Sequence, residues 1–246
     1  TTLFRSGALQ SWWPLAVAFT AFAVGGVANA VNIVDGFNGL ASGFVVIAFI
    51  GLALVAAVVG DVNLAFACLA IAMAMLGFWL INWPWGHLFL GDGGSYFGGF
   101  ALAWAAVLLI ERNTGVPAFV PLLICIHPVT EVLFSIYRRK IKKISPGQPD
   151  RLHFHSLVKQ RYVRRWFPNA SADIRNSITG LLVGFMTLTA IALASVTQAS
   201  VLGSALAFVA LGLGYVSLYA RMVRHNWCSP IGFLFRKPAL TLKTKA

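Results

Sequence analysis

Four polar side chains crowd the end of a long apolar stretch near the start of the sequence. Asn29, Asn32 and Asp35 are spaced three residues apart, so on a helix they share one face, and Asn38 follows them. A carboxylate costs about 2.5–3.5 kcal/mol at the centre of a membrane span and less near the interface. The cluster therefore predicts a binding site for a polar ligand, and a plain helix C-cap is the alternative.

A second polar run, residues 89–99, surrounds one carboxylate with glycines. Glycines let the backbone approach a ligand closely, and Asp92 is the predicted ligand of Mg²⁺, which takes one or two carboxylates, waters and substrate phosphates. Ser95 is predicted to N-cap a span that begins at Tyr96, where free N–H groups suit a phosphate. Gly91 and Ser95 are predicted to contact substrate. The alternative is a glycine-rich turn with one solvated Asp.

A third polar run, residues 145–157, contains an arginine and two histidines. Arg151 offers a planar fork for a phosphate. His153 and His155 are two residues apart, so in an extended segment they point the same way and can donate to a pyrophosphate or move a proton. A zinc site is a weak alternative because no Cys or third His stands at ligand spacing. A basic loop with incidental histidines is the other alternative.

One further pair of ionisable residues lies inside an apolar stretch. His127 and Glu131 flank Pro128, which predicts a kink. Both side chains are expected to face a polar cavity, or to pair with each other or with a neighbour, as ionisable groups inside membranes do.

Composition indicates the class of protein that must position these residues. Hydrophobic residues make up 59% of the 246, charged residues only 11%, and the mean hydropathy is +0.79. Soluble domains carry about 25% charged residues. The fold class predicted is all-α, a polytopic transmembrane bundle forming a single integral membrane domain over 1–246. About seven spans are expected: Trp12–Val34, Leu40–Gly60, Val62–Asn82, Tyr96–Ile110, Val116–Tyr137, Ser177–Val196 and Val201–Ala220.

The basic residues predict the orientation of the bundle. Residues 138–176 hold eleven Lys or Arg and residues 221–246 hold six, which leaves only Arg5 and Arg112 for the other side. The positive-inside rule makes the two rich segments a cytoplasmic loop and a cytoplasmic tail. All three polar runs then face the cytoplasm. The net charge of +12 is thus explained by topology and lipid headgroups, without nucleic acid.

The three runs in this order resemble the polyprenyl-phosphate N-acetylhexosamine-1-phosphate transferases, relatives of the phospho-N-acetylmuramoyl-pentapeptide transferase. The matching stretches are residues 29–41, 89–95 and 149–155. The resemblance implies a Mg²⁺-dependent enzyme of the bacterial inner membrane. Such an enzyme transfers a sugar 1-phosphate from a UDP-sugar to polyprenyl (undecaprenyl) phosphate at the cytoplasmic face, releases UMP and starts a cell-envelope glycan.

The resemblance also implies roles for individual residues. Asp92, Asp35, His153 and His155 would be catalytic, whereas Asn29, Asn32, Asn38 and Arg151 would bind substrate, together with Phe89 stacked on uracil. Membrane lipids are expected partners, and a homodimer is left open.

Three departures from the family pattern bear on this prediction. No two acidic residues are adjacent in the chain, whereas the family carries an Asp-Asp motif in an earlier loop; the chain also begins at Thr1. We therefore expect the C-terminal part of a longer protein. Asn38 replaces a common Asp, and Ser156 stands where many members have His. A transporter that uses a midplane polar pathway, or a non-catalytic membrane scaffold, remains the alternative function.

Overall fold

The computed structural model describes residues 13–143 and 152–224 of the chain, and these residues are folded as helices joined by short loops. The helices are α1 (Trp13–Val34), α2 (Leu40–Val58), α3 (Val62–Asn82), α4 (Gly91–Arg112), α5 (Phe119–Ile124), α6 (Ile126–Lys142), α7 (Phe154–Val158), α8 (Arg164–Trp166), α9 (Ala172–Thr197) and α10 (Val201–Arg224), with a π-helical stretch, Lys159–Val163, between α7 and α8.

The predicted fold class is confirmed. Six of the described helices, α1, α2, α3, α4, α9 and α10, are long and apolar enough to cross a membrane. Their bounds agree with the predicted spans to within a few residues, except at the starts of α4 and α9. The agreement follows from composition, because about 20 apolar residues are needed to cross the hydrocarbon core and each segment supplies them.

The fifth predicted span is divided into two helices. It breaks at Cys125, between α5 and α6, and not at Pro128, where the kink was predicted. The break lies three residues before Pro128 because proline lacks an N–H and its ring clashes with the carbonyl four residues earlier, here that of Ile124. The break lies six residues before Glu131.

The start of α4 corrects the prediction for the glycine-rich run. This helix begins at Gly91, five residues before Tyr96, so Ser95 lies inside its first turns and is not an N-cap. Ser95 is fully buried, and its hydroxyl donates to the Gly91 carbonyl at 2.8 Å. Such a bond to the carbonyl four residues back is the usual choice of a serine inside a helix.

Helix α2 is the centre of the bundle. Of its most apolar 18 residues 67% are buried, against 39% or less in the other five candidate spans. It packs against α3, α4 and α9, while α1 packs against α4 and α6. The more exposed spans present apolar side chains outward, as helices in contact with lipid do.

A second, smaller core lies beneath the histidine-containing segment. It joins α6, α7, α9 and α10 through apolar and tyrosine side chains. Its buried members are Val34, Leu40, Phe134, Phe154, Leu157, Val158, Val163, Val183, Tyr215, Tyr219 and Met222. Burial of these side chains fixes α7 against the membrane-spanning helices.

The loops of the bundle divide between two ends. We call the end formed by residues 35–39, 83–90 and 152–171 the motif end, because the three polar runs meet there. The opposite end contains the turns at 59–61, 113–118 and 198–200. The first two runs and the described part of the third, residues 152–157, thus lie at one end, as expected.

Candidate functional site

The first polar run leaves α1 in a tight loop that is tied to the rest of the motif end. The Asn38 amide donates to the Pro84 carbonyl at 3.3 Å, and Trp79 Nε1 donates to the Gly39 carbonyl at 3.1 Å. Helix α9 approaches this loop very closely at Gly180, where an added Cβ would lie 2.7 Å from the Asn38 carbonyl oxygen. Only glycine fits there, because α9 packs backbone to backbone against the loop.

Asn82 is a residue of the site that the sequence analysis missed. Its side-chain oxygen accepts from the Gly39 backbone N–H, and its amide nitrogen donates to the Leu88 carbonyl. One buried side chain therefore fixes the first and second loops relative to each other. The sequence does contain a sign of this role, because Asn82 is a lone amide at the end of an apolar span and is followed directly by Trp-Pro.

Asp35 and Asp92 come together although 57 residues separate them in the chain. Burial and the negative charge of Asp92 raise the pKa of Asp35 to about 6, and the Gly91 backbone N–H, which donates to the Asp35 carboxylate, offsets part of that rise. Two carboxylates that share a site repel each other in this way. The arrangement favours a cation between them.

Asn32, near the end of α1, holds the Asp92 side chain at the start of α4. Its amide nitrogen donates to Asp92 Oδ1 and to Ser95 Oγ, both at 2.9 Å. Asn32 thus fixes the direction of the Asp92 side chain, and Ser95 holds Asn32 from below. The predicted contacts of Asn32 and Ser95 with substrate remain predictions.

The rim of the site contains two further predicted residues. Asn29 is exposed on α1, and its side-chain oxygen accepts from the Tyr96 hydroxyl at 3.5 Å. Phe89 precedes α4 with 74% of its surface exposed, so its ring is available for stacking. By contrast, Asn38 is buried and its amide faces the second loop, away from the carboxylate pair.

The histidines of the third run reach the first loop. His155 is buried, and its Nε2 lies 3.2 Å from where a Cβ on Gly36 would be. Its ring meets the edge of Phe37 with centroids 5.1 Å apart, and it stacks on His153 with centroids 5.4 Å apart. The structure therefore brings His155 to the loop that carries Asp35, with His153 stacked on its ring. Arg151 lies outside the described residues.

Lys159 is a second residue that the sequence analysis missed. Its Nζ lies 5.0 Å from the centroid of the Phe37 ring and donates to Asn176 Oδ1. Partial burial, together with the charges of Arg164 and Arg175, lowers the pKa of Lys159. Its position four residues after His155, on the same side of a helix, was the signal in the sequence.

Glu131 pairs with a neighbour, one of the arrangements expected for it. It accepts from His153 Nδ1 at 2.8 Å and from the Tyr215 hydroxyl at 2.7 Å. His127 is equally buried, and its two ring nitrogens have no hydrogen-bond partner within the described residues. The two side chains of the broken span therefore have different surroundings.

Residues 1–110 match the sequence profile described as Glycosyl transferase family 4. The chain is similar to this family over that part of its length. The matched part includes α1 to α4 and therefore Asn32, Asp35 and Asp92, whereas the two histidines lie beyond it.

The curated proteins to which the chain is similar are sugar-phosphate transferases by name. The chain is 32% identical over 142 residues to the "Probable undecaprenyl-phosphate N-acetylglucosaminyl 1-phosphate transferase" of Bacillus subtilis, with 57% of this chain and 40% of that protein aligned. It is 33% identical over 155 residues to the "Undecaprenyl-phosphate alpha-N-acetylglucosaminyl 1-phosphate transferase" of Escherichia coli, with 59% and 41% aligned. The protein of the same name in Yersinia pestis is 28% identical over 225 residues, with 87% and 57% aligned.

The chain spans about half the length of the curated relatives it matches. The aligned part in Yersinia pestis nevertheless extends over most of the present chain, so the similarity is not limited to the first four helices.

Asp35 and Asp92 are the described carboxylates that could hold a metal ion together with groups from a substrate. Among the described residues, no three His, Cys, Asp or Glu side chains gather into a metal site. Asp35 and Asp92 supply two carboxylates, and Mg²⁺ usually takes one or two with the rest of its shell from water and phosphates. Burial and, second to it, the negative charge of Asp92 raise the pKa of Asp35, and a bound divalent cation would favour the ionised carboxylate.

Proposed function

We propose that this protein transfers an N-acetylhexosamine 1-phosphate from a UDP-sugar to polyprenyl phosphate and releases UMP. The observation that carries the proposal is the pair Asp35 and Asp92. Asn32 donates a hydrogen bond to Asp92, and His155 lies beside Gly36, the residue after Asp35. The names of the curated relatives supply the substrate class.

Each part of the motif end has a task in this reaction. Asp35 and Asp92 would hold Mg²⁺, which when bound neutralises charge on the pyrophosphate. Asn32 keeps the Asp92 carboxylate aimed at the site. His153 and His155, beside the Gly36 loop, donate to phosphate oxygens or move a proton. The exposed ring of Phe89 stacks on the uracil of the donor.

The net reaction exchanges one phosphorus–oxygen bond for another. An oxygen of the lipid phosphate becomes bonded to the sugar-bearing phosphorus, and the bond from that phosphorus to the bridging oxygen of UMP breaks. Both substrates are anionic, so the protein must bring two sets of negative charge together. Positioning and charge stabilisation therefore dominate catalysis, as they do in other phosphoryl transfers.

The active site faces the cytoplasm of a bacterial inner membrane in this proposal. Supporting it, Arg138 and Arg139 lie in the last two turns of α6, at the motif end, while Arg112 is the only Lys or Arg at the opposite end among the described residues. A cysteine at position 113 should react with an impermeant thiol reagent from outside the cell, and a cysteine at 160 only from inside. The reverse pattern would overturn the orientation.

The assay that tests the function uses the protein from its complete coding sequence, in membranes, with Mg²⁺, undecaprenyl phosphate and a panel of UDP-sugars. We expect UMP release with a UDP-N-acetylhexosamine that stops when the lipid or the metal is withheld. Absence of UMP release with every UDP-sugar, from a protein shown to be folded, would refute the proposal.

A transporter is not favoured by the contacts of Glu131. A midplane polar pathway would need this carboxylate to face a channel, whereas it accepts hydrogen bonds from Tyr215 and from the start of the histidine segment.

A further inference from the structure

We infer that Glu131 is a positioning residue that fixes the tautomer and direction of His153 for the transfer reaction, with Tyr215 as its support. The inference rests on the proposed function for its meaning, but its geometric basis is independent of any substrate. It concerns a buried carboxylate that stands apart from the pair Asp35 and Asp92.

Glu131 is 2% exposed and collects hydrogen bonds from three donors. His153 Nδ1 lies 2.8 Å from Oε1, and the Tyr215 hydroxyl lies 2.7 Å from Oε2. The backbone N–H of Phe154 donates to both oxygens, at 3.1 and 3.2 Å. A buried carboxylate needs such partners, because an isolated one would be too costly to keep ionised.

The contact with His153 determines which ring nitrogen can act. An ionised carboxylate only accepts hydrogen bonds, so Nδ1 must carry the proton in the bond to Glu131. Nε2 is then the nitrogen that exchanges a proton with a reacting group. A carboxylate in this position also stabilises the imidazolium that forms when Nε2 takes up a proton, as in other carboxylate–histidine pairs.

The surrounding contacts keep this pair rigid. Phe154 stacks on Tyr215 with ring centroids 4.9 Å apart, and Tyr219 donates to the Leu152 carbonyl at 3.0 Å. The residues on both sides of His153 are therefore held by α10, while Glu131 holds the ring from α6. Tyr219 therefore anchors the backbone of the segment, whereas Glu131 orients the imidazole ring.

Glu131 follows closely after the break at Cys125. Because α6 starts anew after Cys125, Glu131 lies in its second turn and meets the start of α7.

The test compares Glu131→Gln, which keeps the shape and removes the charge, in the wild-type and His153→Gln backgrounds of the full-length protein in membranes. We expect kcat to fall by about ten- to a hundredfold, which is the usual effect of removing a carboxylate that hydrogen-bonds a functional histidine. KM for the UDP-sugar should stay nearly unchanged. In the His153→Gln background the same change should have little further effect, because residues that act as a unit are not additive.

Tyr219→Phe is the matched control. It removes an anchor of the same segment without touching the pair, so it should leave kcat within about twofold of the wild type and combine additively with His153→Gln. An unchanged kcat for Glu131→Gln, or an equal loss in both backgrounds, would overturn the inference.

A spectroscopic readout separates this inference from the proposed function. In ¹⁵N-histidine spectra assigned by difference from His153→Gln, neutral His153 should carry its proton on Nδ1, and Glu131→Leu should shift the proton toward Nε2. A wild-type His153 protonated on Nε2 alone would refute the inference even in an active enzyme. Inactivity of the wild type with every UDP-sugar would instead remove the proposed function and leave the tautomer result to decide for Glu131.

Discussion

Acidic side chains at the two ends of the bundle have opposite surroundings. At the opposite end, Asp61 accepts from Arg112 Nε at 2.8 Å and Nη2 at 2.9 Å, and also from Asn113 at 3.2 Å. The hydrogen bond from Arg112 lowers the pKa of Asp61. At the motif end, burial and the charge of Asp92 raise the pKa of Asp35 to about 6.

The difference teaches what each carboxylate is for. Asp61 also N-caps α3 through the Leu64 N–H, so its charge is balanced by partners within the protein. Asp35 is held beside a like charge, which costs free energy in the absence of a cation. Natural proteins keep such costs mainly where function requires them, so the comparison assigns stability to one end and chemistry to the other.

The largest effect is expected from Asp92→Asn. Loss of one of two carboxylates should lower UMP release by about two orders of magnitude or more, as removal of a metal clamp does. Asp61→Asn is the matched control at the opposite end and should retain near-normal activity. Equal activities of the two variants would erase the functional distinction between the ends.

The second prediction concerns folding stability without metal, where the two carboxylates should respond to pH with opposite sign. Unfolded Asp35 loses its proton near pH 3.8 and folded Asp35 near pH 6, so its contribution falls as pH rises through that window. Asp61 has a lowered pKa, so its contribution is complete above its unfolded pKa and is lost in acid.

Thermal unfolding with a chelator, at pH 4 and pH 7, measures this difference. The free energy of unfolding of Asp35→Asn, relative to wild type, should be roughly 1–3 kcal/mol higher at pH 7 than at pH 4. Added Mg²⁺ should cancel this difference. A variant that is equally stable relative to wild type at both pH values would contradict the raised pKa of Asp35.

The third prediction compares two amides that each donate to a carboxylate. Asn32→Leu should lower turnover by about tenfold, because Asp92 loses the donor that orients it. Asn113→Leu removes the corresponding donor from Asp61 and should leave turnover unchanged. A similar loss of turnover in both variants would indicate general destabilisation.

The fourth prediction tests the rim of the motif end. Phe89→Ala should raise KM for the UDP-sugar several-fold with little change in kcat, because stacking on a remote base contributes about 1–3 kcal/mol of uniform binding. Phe66, 67% exposed on α3, is the matched aromatic, and Phe66→Ala should not change KM. An unchanged KM for Phe89→Ala would remove the ring from the binding site.

Much of the fold was predictable because it depends on composition over long segments. Spans such as α2 and α3 were found to within two residues, since apolar length is a local property of the sequence. The start of α4 was not, because glycines near Asp92 fit a turn or a helix equally well. The break at Cys125 was displaced by three residues from the proline that causes it.

The site was predictable in its residue types and not in its pairings. The three polar runs were found, but the bond from Asn82 to Gly39 and the contact of Glu131 with His153 join residues far apart in the chain. Such pairings depend on how helices pack, which no local pattern records. Asp61 illustrates the same limit, since its ion pair with Arg112 also joins residues far apart in the chain.

The smallest effect is expected at Asp61, and it separates the two tasks of that side chain. Asp61→Asn keeps a good N-cap and loses the ion pair with Arg112, so it should cost at most about 1 kcal/mol. Asp61→Ala loses both and should cost about 1–2 kcal/mol in all, because an N-cap alone contributes about 0.5–2 kcal/mol. Thermal unfolding at low and high salt measures both, and only the ion-pair part should weaken with salt. If Asp61→Ala instead lowered turnover while leaving the melting temperature unchanged, the opposite end would take part in the chemistry and the contrast between the two ends would fail.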